Sequence, residues 1–142
     1  MILFCDTSAL MKVYAKEQAS EQVRQLLQQA SNCFVSLITW AEMYAAFGMK
    51  QRTLQITSVE VAAGLERLNN EWAGFGLIAV DLPLMIEAGE LALRFGLRAY
   101  DSVQLASAQR LHKQLGNNLT FCCFDKQLNT AARTLSINVV VD

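Results

Sequence analysis

Four carboxylates in this 142-residue chain are spaced so that a fold could gather them: Asp6, Glu42, Asp101 and Asp125. Each lies at or near the start of a helical pattern. Asp6 and Asp125 directly follow apolar, strand-like runs. Two carboxylates about 4 Å apart repel by about 4 kcal/mol at an effective dielectric of 20. Four in one cleft would therefore take up protons or bind a cation. No Cys or His belongs to the set, so an all-oxygen site for Mg²⁺ or Mn²⁺ is expected rather than one for zinc. The chemistry of such a site is metal-assisted phosphoryl transfer. One cation polarises a phosphate oxygen and activates water, and a second stabilises the departing oxygen.

A purely local reading stands beside this one. Aspartate is a favoured helix N-cap. Thr39-x-x-Glu42 fits a capping box in which Glu42 serves its own backbone, and Asp101 with Gln104 fits the same template. An acid in a first helical turn also gains from the helix dipole. Taken singly, each acid reads as a cap. Taken together, they read as a metal site.

The elements that must position these acids follow from periodicity. Met1 to Cys5 is an uninterrupted apolar run, as in a parallel strand covered on both faces. Leu10, Met11, Val13 and Tyr14 are spaced for one face of a helix, and a second helix is expected from Ala19 to Ala30. Cys33–Ser36 is a short strand. Leu37 to Glu42 opens an apolar helix reaching Gly48 or Arg52. A long helix is expected from Ile56 to about Phe75, closed by Gly74 and Gly76. Leu77–Val80 is the third strand. Pro83 suits the first turn of the next helix, which Gly96 caps. Another helix runs from Asp101 to Gly116. Thr120–Phe124 is a fourth strand, followed by a helix over Lys126–Leu135 and a last strand over Ile137–Val141. Strands separated by helices imply a mostly parallel sheet with helices on both faces. In such sheets ligands bind outside the carboxyl ends of the strands, which is where Asp6 falls. The length fits a single domain, 1–142.

The composition is 53% hydrophobic and 18% charged, with net charge −1. That leaves ample core and no case for disorder. It also excludes the strongly basic footprint of an avid, sequence-independent nucleic-acid binder. Lys12, Lys16, Arg98 and Lys126 lie near the proposed rim, where they would steer phosphates or serve as ordinary solvated charge. The four cysteines, Cys5, Cys33, Cys122 and Cys123, form no zinc pattern and read as buried reduced thiols. His112 reads as a solvated helix residue. The N-terminus lacks the basic region of a secretory signal. The apolar stretch Phe34–Met49 is short for a membrane span and contains Glu42. A cytoplasmic protein is expected.

Four blocks together carry a resemblance: Phe4-Cys-Asp6-Thr-Ser8-Ala-Leu, Ser36-Leu-Ile-Thr39-Trp-Ala-Glu42, Gly96-Leu-Arg-Ala-Tyr-Asp101-Ser-Val-Gln-Leu-Ala, and Phe121-Cys-Cys-Phe-Asp125-Lys-Gln-Leu. In this order and spacing the chain resembles the PIN-domain family, specifically the VapC-type toxin ribonucleases. The resemblance implies an α/β three-layer sandwich with a five-stranded parallel sheet in the order 3-2-1-4-5. It implies that Asp6, Glu42, Asp101 and Asp125 form the family's acidic quartet, holding Mg²⁺ or Mn²⁺ for endonucleolytic cleavage of RNA. Ser8 would orient Asp6 or a water at the metal, or else bond locally to backbone at a helix start. Asp81, placed by that strand order at a sheet edge, reads as a cap before Pro83. A homodimer and a cognate VapB-like antitoxin are also implied. The stripe Trp40, Met43, Tyr44 and Phe47 fits either an interface or core packing.

A PIN nuclease of housekeeping RNA processing fits the same residues. A receiver-like phosphate-binding module would need an acidic pair at the end of the first strand, where Cys5 stands beside Asp6. A haloacid-dehalogenase-type phosphatase would need a second Asp at the position of Ser8.

Overall fold

Strand β1 (Ile2–Cys5) lies at the centre of a five-stranded sheet. In the computed structural model, which describes residues 1–140, the strand order is 3-2-1-4-5, and every pairing is parallel. β2 (Asn32–Ser36) and β4 (Leu119–Cys122) flank β1, with Phe4 opposite Phe34 on one side and Phe121 on the other. β3 (Gly76–Ile78) and β5 (Asn138–Val139) are the edges.

The unbroken apolar run of β1 is explained by burial on both faces. Successive side chains of a strand point to opposite faces. Leu3 and Cys5 enter a core built with α1 (Thr7–Tyr14), α2 (Ser20–Gln29), α3 (Thr39–Arg52) and α4 (Ser58–Glu71). Phe4 enters the opposite core, built with α5 (Leu82–Phe95), α6 (Ala99–Leu115) and α7 (Lys126–Thr134). There Phe4 stacks on Phe121 with ring centroids 5.9 Å apart. Burying one such side chain is worth roughly 1.5–3 kcal/mol. A strand buried on both faces is therefore held firmly, and Asp6 follows at its end.

Two positions need glycine. A Cβ on Gly64 would come within 2.6 Å of the Phe47 ring and 2.8 Å of the Tyr14 carbonyl, so glycine lets α4 press onto its neighbours. Gly96 takes φ +66° and closes α5, as its place in the sequence implies.

Several boundaries differ from the sequence reading. The helix expected from Ile56 begins at Ser58, because Thr57 and Glu60 form a reciprocal capping box. It ends at Glu71 and gives way to a 3-10 turn over Trp72–Gly74. β4 ends at Cys122, so Asp125 follows its strand by three residues rather than directly. β5 takes in Asn138–Val139; Ile137 and Val140, also expected in the strand, flank it outside the ladder, and Val141 lies outside the described residues. In the aromatic stripe of α3, Met43 and Phe47 are core residues, whereas Trp40 packs half-buried against Tyr44 and Trp72. His112 is half-buried, with Nδ1 3.1 Å from the Gly116 carbonyl oxygen at the end of α6. All four cysteines are free thiols, Cys33 being the one partly exposed. No helix among the described residues is long and apolar enough to cross a membrane.

Candidate active site

Asp6 caps α1. Its Oδ1 accepts from the Ala9 amide at 3.0 Å and from the Ser8 hydroxyl at 2.7 Å. Ser8 in turn accepts from the Phe124 amide at 3.1 Å, which ties α1 to the segment after β4. Asp6 is only 4% exposed. Both hydrogen-bond donors are neutral, so no cation offsets its burial through these bonds. Desolvation pushes its pKa up to about 6, and the charge of Asp101 adds to the rise. The Ser8 and Ala9 bonds and the adjacent Cys123 thiol pull the other way. That thiol is itself pushed far up by burial and by Asp6.

Asp101 lies in the first turn of α6, half-buried. Burial raises its pKa, the charge of Asp125 raises it further, and Arg98 opposes both. Asp125 caps α7 through the Leu128 amide at 2.8 Å and is exposed. The charge of Asp101 thus reaches Asp6 and that of Asp125 reaches Asp101, and the three acids pass from buried to exposed in that order. α6 follows another helix rather than a strand, so strand order alone does not bring Asp101 to this edge.

Glu42 does not make the capping box that its spacing suggests. The residue before α3, Ile38, makes no side-chain cap bond. Glu42 Oε1 instead accepts from the Thr7 hydroxyl at 2.8 Å and from Gln104 Nε2 at 2.7 Å. Gln104 likewise makes no box with Asp101; its amide also reaches Thr39 Oγ1 at 2.9 Å and Thr7 Oγ1 at 3.2 Å. Thr7, Thr39 and Gln104 were not singled out as site residues from sequence. The one available signal was a glutamine among the buried positions Val103, Leu105, Ala106 and Ala108.

The rim cations divide. Lys12 is engaged by Glu17 at 3.3 Å and sits over the Phe124 ring, so it is not an open phosphate contact. Lys16, Arg98 and Lys126 are exposed. Beside Glu42 a groove of about 500 Å³ is lined by Thr7, Ile38, Ala41, Ala46, Met49 and the exposed Tyr100.

The donor chemistry fits a hard divalent cation, since the acids offer oxygen alone. The hydrogen bonds to Glu42 and Asp125 fall on a single oxygen of each, Oε1 and Oδ1. The second oxygen of each remains outside these bonds. Among the described residues no three His, Cys, Asp or Glu side chains are gathered closely enough to grip an ion as they stand.

Residues 3–133 match the PIN domain. The chain belongs to the PIN-domain family. It is 30% identical over 138 residues to Ribonuclease VapC46 of Mycobacterium tuberculosis, covering 97% of this chain and 95% of that protein. Among solved structures it is similar to a toxin-antitoxin complex from Klebsiella pneumoniae, with TM-score 0.65, 20% identity, and 99% and 97% of the two chains covered. The crystal structure of FitAcB from Neisseria gonorrhoeae matches with the same score, identity and coverage. At that identity the structural likeness establishes the shared fold. This PIN chain has the strand order and layering expected for the family.

Proposed function

We propose that this PIN-domain chain is a Mg²⁺- or Mn²⁺-dependent endoribonuclease, the toxin of a toxin–antitoxin pair. In this reading Asp6, Glu42, Asp101 and Asp125 are the metal-holding and catalytic acids, and Ser8 holds Asp6 in position. The observation that carries it is Asp6: a carboxylate buried at the end of the central strand, bonded to neutral donors and pressed by a second acid. Such a group gains from a divalent cation. When bound, the cation would polarise a phosphate oxygen and lower the pKa of water.

The chain's own residues do the rest. Asp6 and Asp125 are fixed by their helix amides, and Ser8 limits Asp6 to one orientation. The groove beside Glu42 and the exposed ring of Tyr100 offer a stacking face for a base next to the cleft. Arg98 and Lys126 flank Asp101 and Asp125 in sequence and would meet backbone phosphates. RNA cleavage and a protein antitoxin accord with relatives named as ribonucleases and with neighbours described as toxin–antitoxin complexes. A cytoplasmic homodimer completes the reading. The exposed side chains Leu82, Ile86 and Leu93 on α5 suit burial against a second copy.

The test is cleavage of a structured RNA by the purified chain. Activity should vanish in excess EDTA and return with Mn²⁺ or Mg²⁺. Undiminished cleavage under exhaustive chelation would refute the metal-dependent mechanism. Growth arrest on expression, relieved by co-expressing the product of an adjacent small gene, would separate a toxin from a housekeeping nuclease.

A further inference from the structure

We infer that Gln104 is a positioning residue that holds the Glu42 carboxylate toward the cleft by bonding one of its two oxygens. The inference rests on the reading of Glu42 as a metal-holding acid and extends it to a residue with no assigned role.

Thr39 and Glu42 have the spacing of a capping box, but Thr39 is the first residue of α3 rather than its cap, and the Glu42 amide already bonds the Ile38 carbonyl; α4, where Thr57 is the cap, shows the box in use. There Glu60 Oε1 accepts from the Thr57 amide at 3.0 Å, and Thr57 Oγ1 accepts from the Glu60 amide at 3.1 Å. At the start of α3 the two side chains bond Gln104 instead. The Gln104 amide donates to Thr39 Oγ1 at 2.9 Å and to Glu42 Oε1 at 2.7 Å. Thr7, adjacent to Asp6, adds its hydroxyl to the same Glu42 oxygen at 2.8 Å. The arrangement joins α1, α3 and α6 and leaves Glu42 Oε2 out of these bonds. A carboxylate accepts only, so the NH₂ side of Gln104 must face it.

The arrangement has a cost that packing alone does not explain. Gln104 is 2% exposed, and its Oε1 is buried with no hydrogen-bond partner among the described residues. An apolar side chain of similar size would fill that space without an orphaned carbonyl. A core selected only for stability would favour such a residue. Retaining the amide makes sense if its task is to aim Glu42.

The deciding experiment measures Mn²⁺ uptake directly, by loss of the free Mn²⁺ electron paramagnetic resonance signal, together with the melting temperature in chelator. Gln104→Met keeps the bulk and removes the donor. Loss of an outer-shell partner weakens metal affinity roughly 10–100-fold, and that loss is expected here. The melting temperature should hold, because the orphaned carbonyl is gone and the Thr7 hydroxyl still engages Glu42. Thr7→Val should weaken Mn²⁺ in the same direction, with Thr7→Ser restoring it. Wild-type affinity in folded Gln104→Met would overturn the inference, as would Mn²⁺ affinity and melting temperature falling together. Should Gln104→Met not fold, Thr7→Val decides on the same two readings. A wild-type chain that takes up no Mn²⁺ would overturn the metal site and the clamp together, whereas a binding wild type with unchanged variants overturns the clamp alone.

Discussion

Asp6 and Asp81 occupy the same kind of local position and meet opposite fates. Each precedes a helix as its N-cap, and each accepts from the amide three residues on at 3.0 Å. Asp81 is exposed and gripped by both guanidinium nitrogens of Arg110, at 3.1 and 2.8 Å. Arg110 and the Leu84 amide hold its pKa down to about 2. Both of its oxygens are used. Asp6 is buried, its bonds come from neutral groups, and its pKa is pushed up to about 6. A cap is thus a local role that says nothing about function. What separates the two acids is the surroundings: a cation and solvent for one, a dry core and another acid for the other.

This contrast can be broken most directly by removing the Asp6 charge. Asp6→Asn keeps an N-capping oxygen and should reduce RNA cleavage below detection while the far-ultraviolet circular dichroism stays unchanged. Full activity in the variant would return Asp6 to the status of Asp81. Next in size is a pH effect. The folded value near 6 exceeds the ordinary 3.8, so the unfolded chain loses its proton first as pH rises. Stability therefore falls between about pH 4 and pH 6, by about 3 kcal/mol in total. Urea melts in EDTA should show that slope in wild type and a flatter one in Asp6→Asn, with the variant the more stable at pH 7. Equal slopes would mean that burial does not perturb Asp6.

The two Thr-x-x-Glu segments sharpen the point. Thr57→Ala should cost about 1 kcal/mol by thermal melting, as loss of a working cap does, and leave cleavage intact. The smallest effect belongs to the Asp81–Arg110 pair. Arg110→Gln should leave cleavage unchanged and lower the melting temperature slightly, less so in high salt, because an exposed ion pair is screened. Its stabilising contribution is present above about pH 4 and fades as pH falls toward 2, the reverse of Asp6. A variant that cut cleavage while folded would show that this region reaches the site.

The alternation of strands and helices, their approximate spans and the doubly buried β1 were all legible in the sequence, because periodicity and turn residues act over a few positions. So were the Asp6 and Asp81 caps and Gly96 at the end of α5. The four acids were legible as a set only with the resemblance to PIN proteins, whose strand order supplies the neighbours. The start of α4 is set by Thr57-x-x-Glu60, which forms the capping box, whereas Thr39-x-x-Glu42 fits the same template and does not use it, so the template alone does not tell the two apart. The Asp81–Arg110 pair spans 29 positions, and the Gln104–Glu42 bond spans 62. Pattern reading does not reach that far.

The chain's residue order alone settles which stretches become helices and which face each buries, since those choices turn on hydrogen bonds and side-chain contacts within one or two turns. Whether an acid at a helix start is neutralised, buried or aimed at a neighbour was settled by packing. Burial and charge are properties of space, and distant segments compete for the same oxygen atoms once the sheet brings them together.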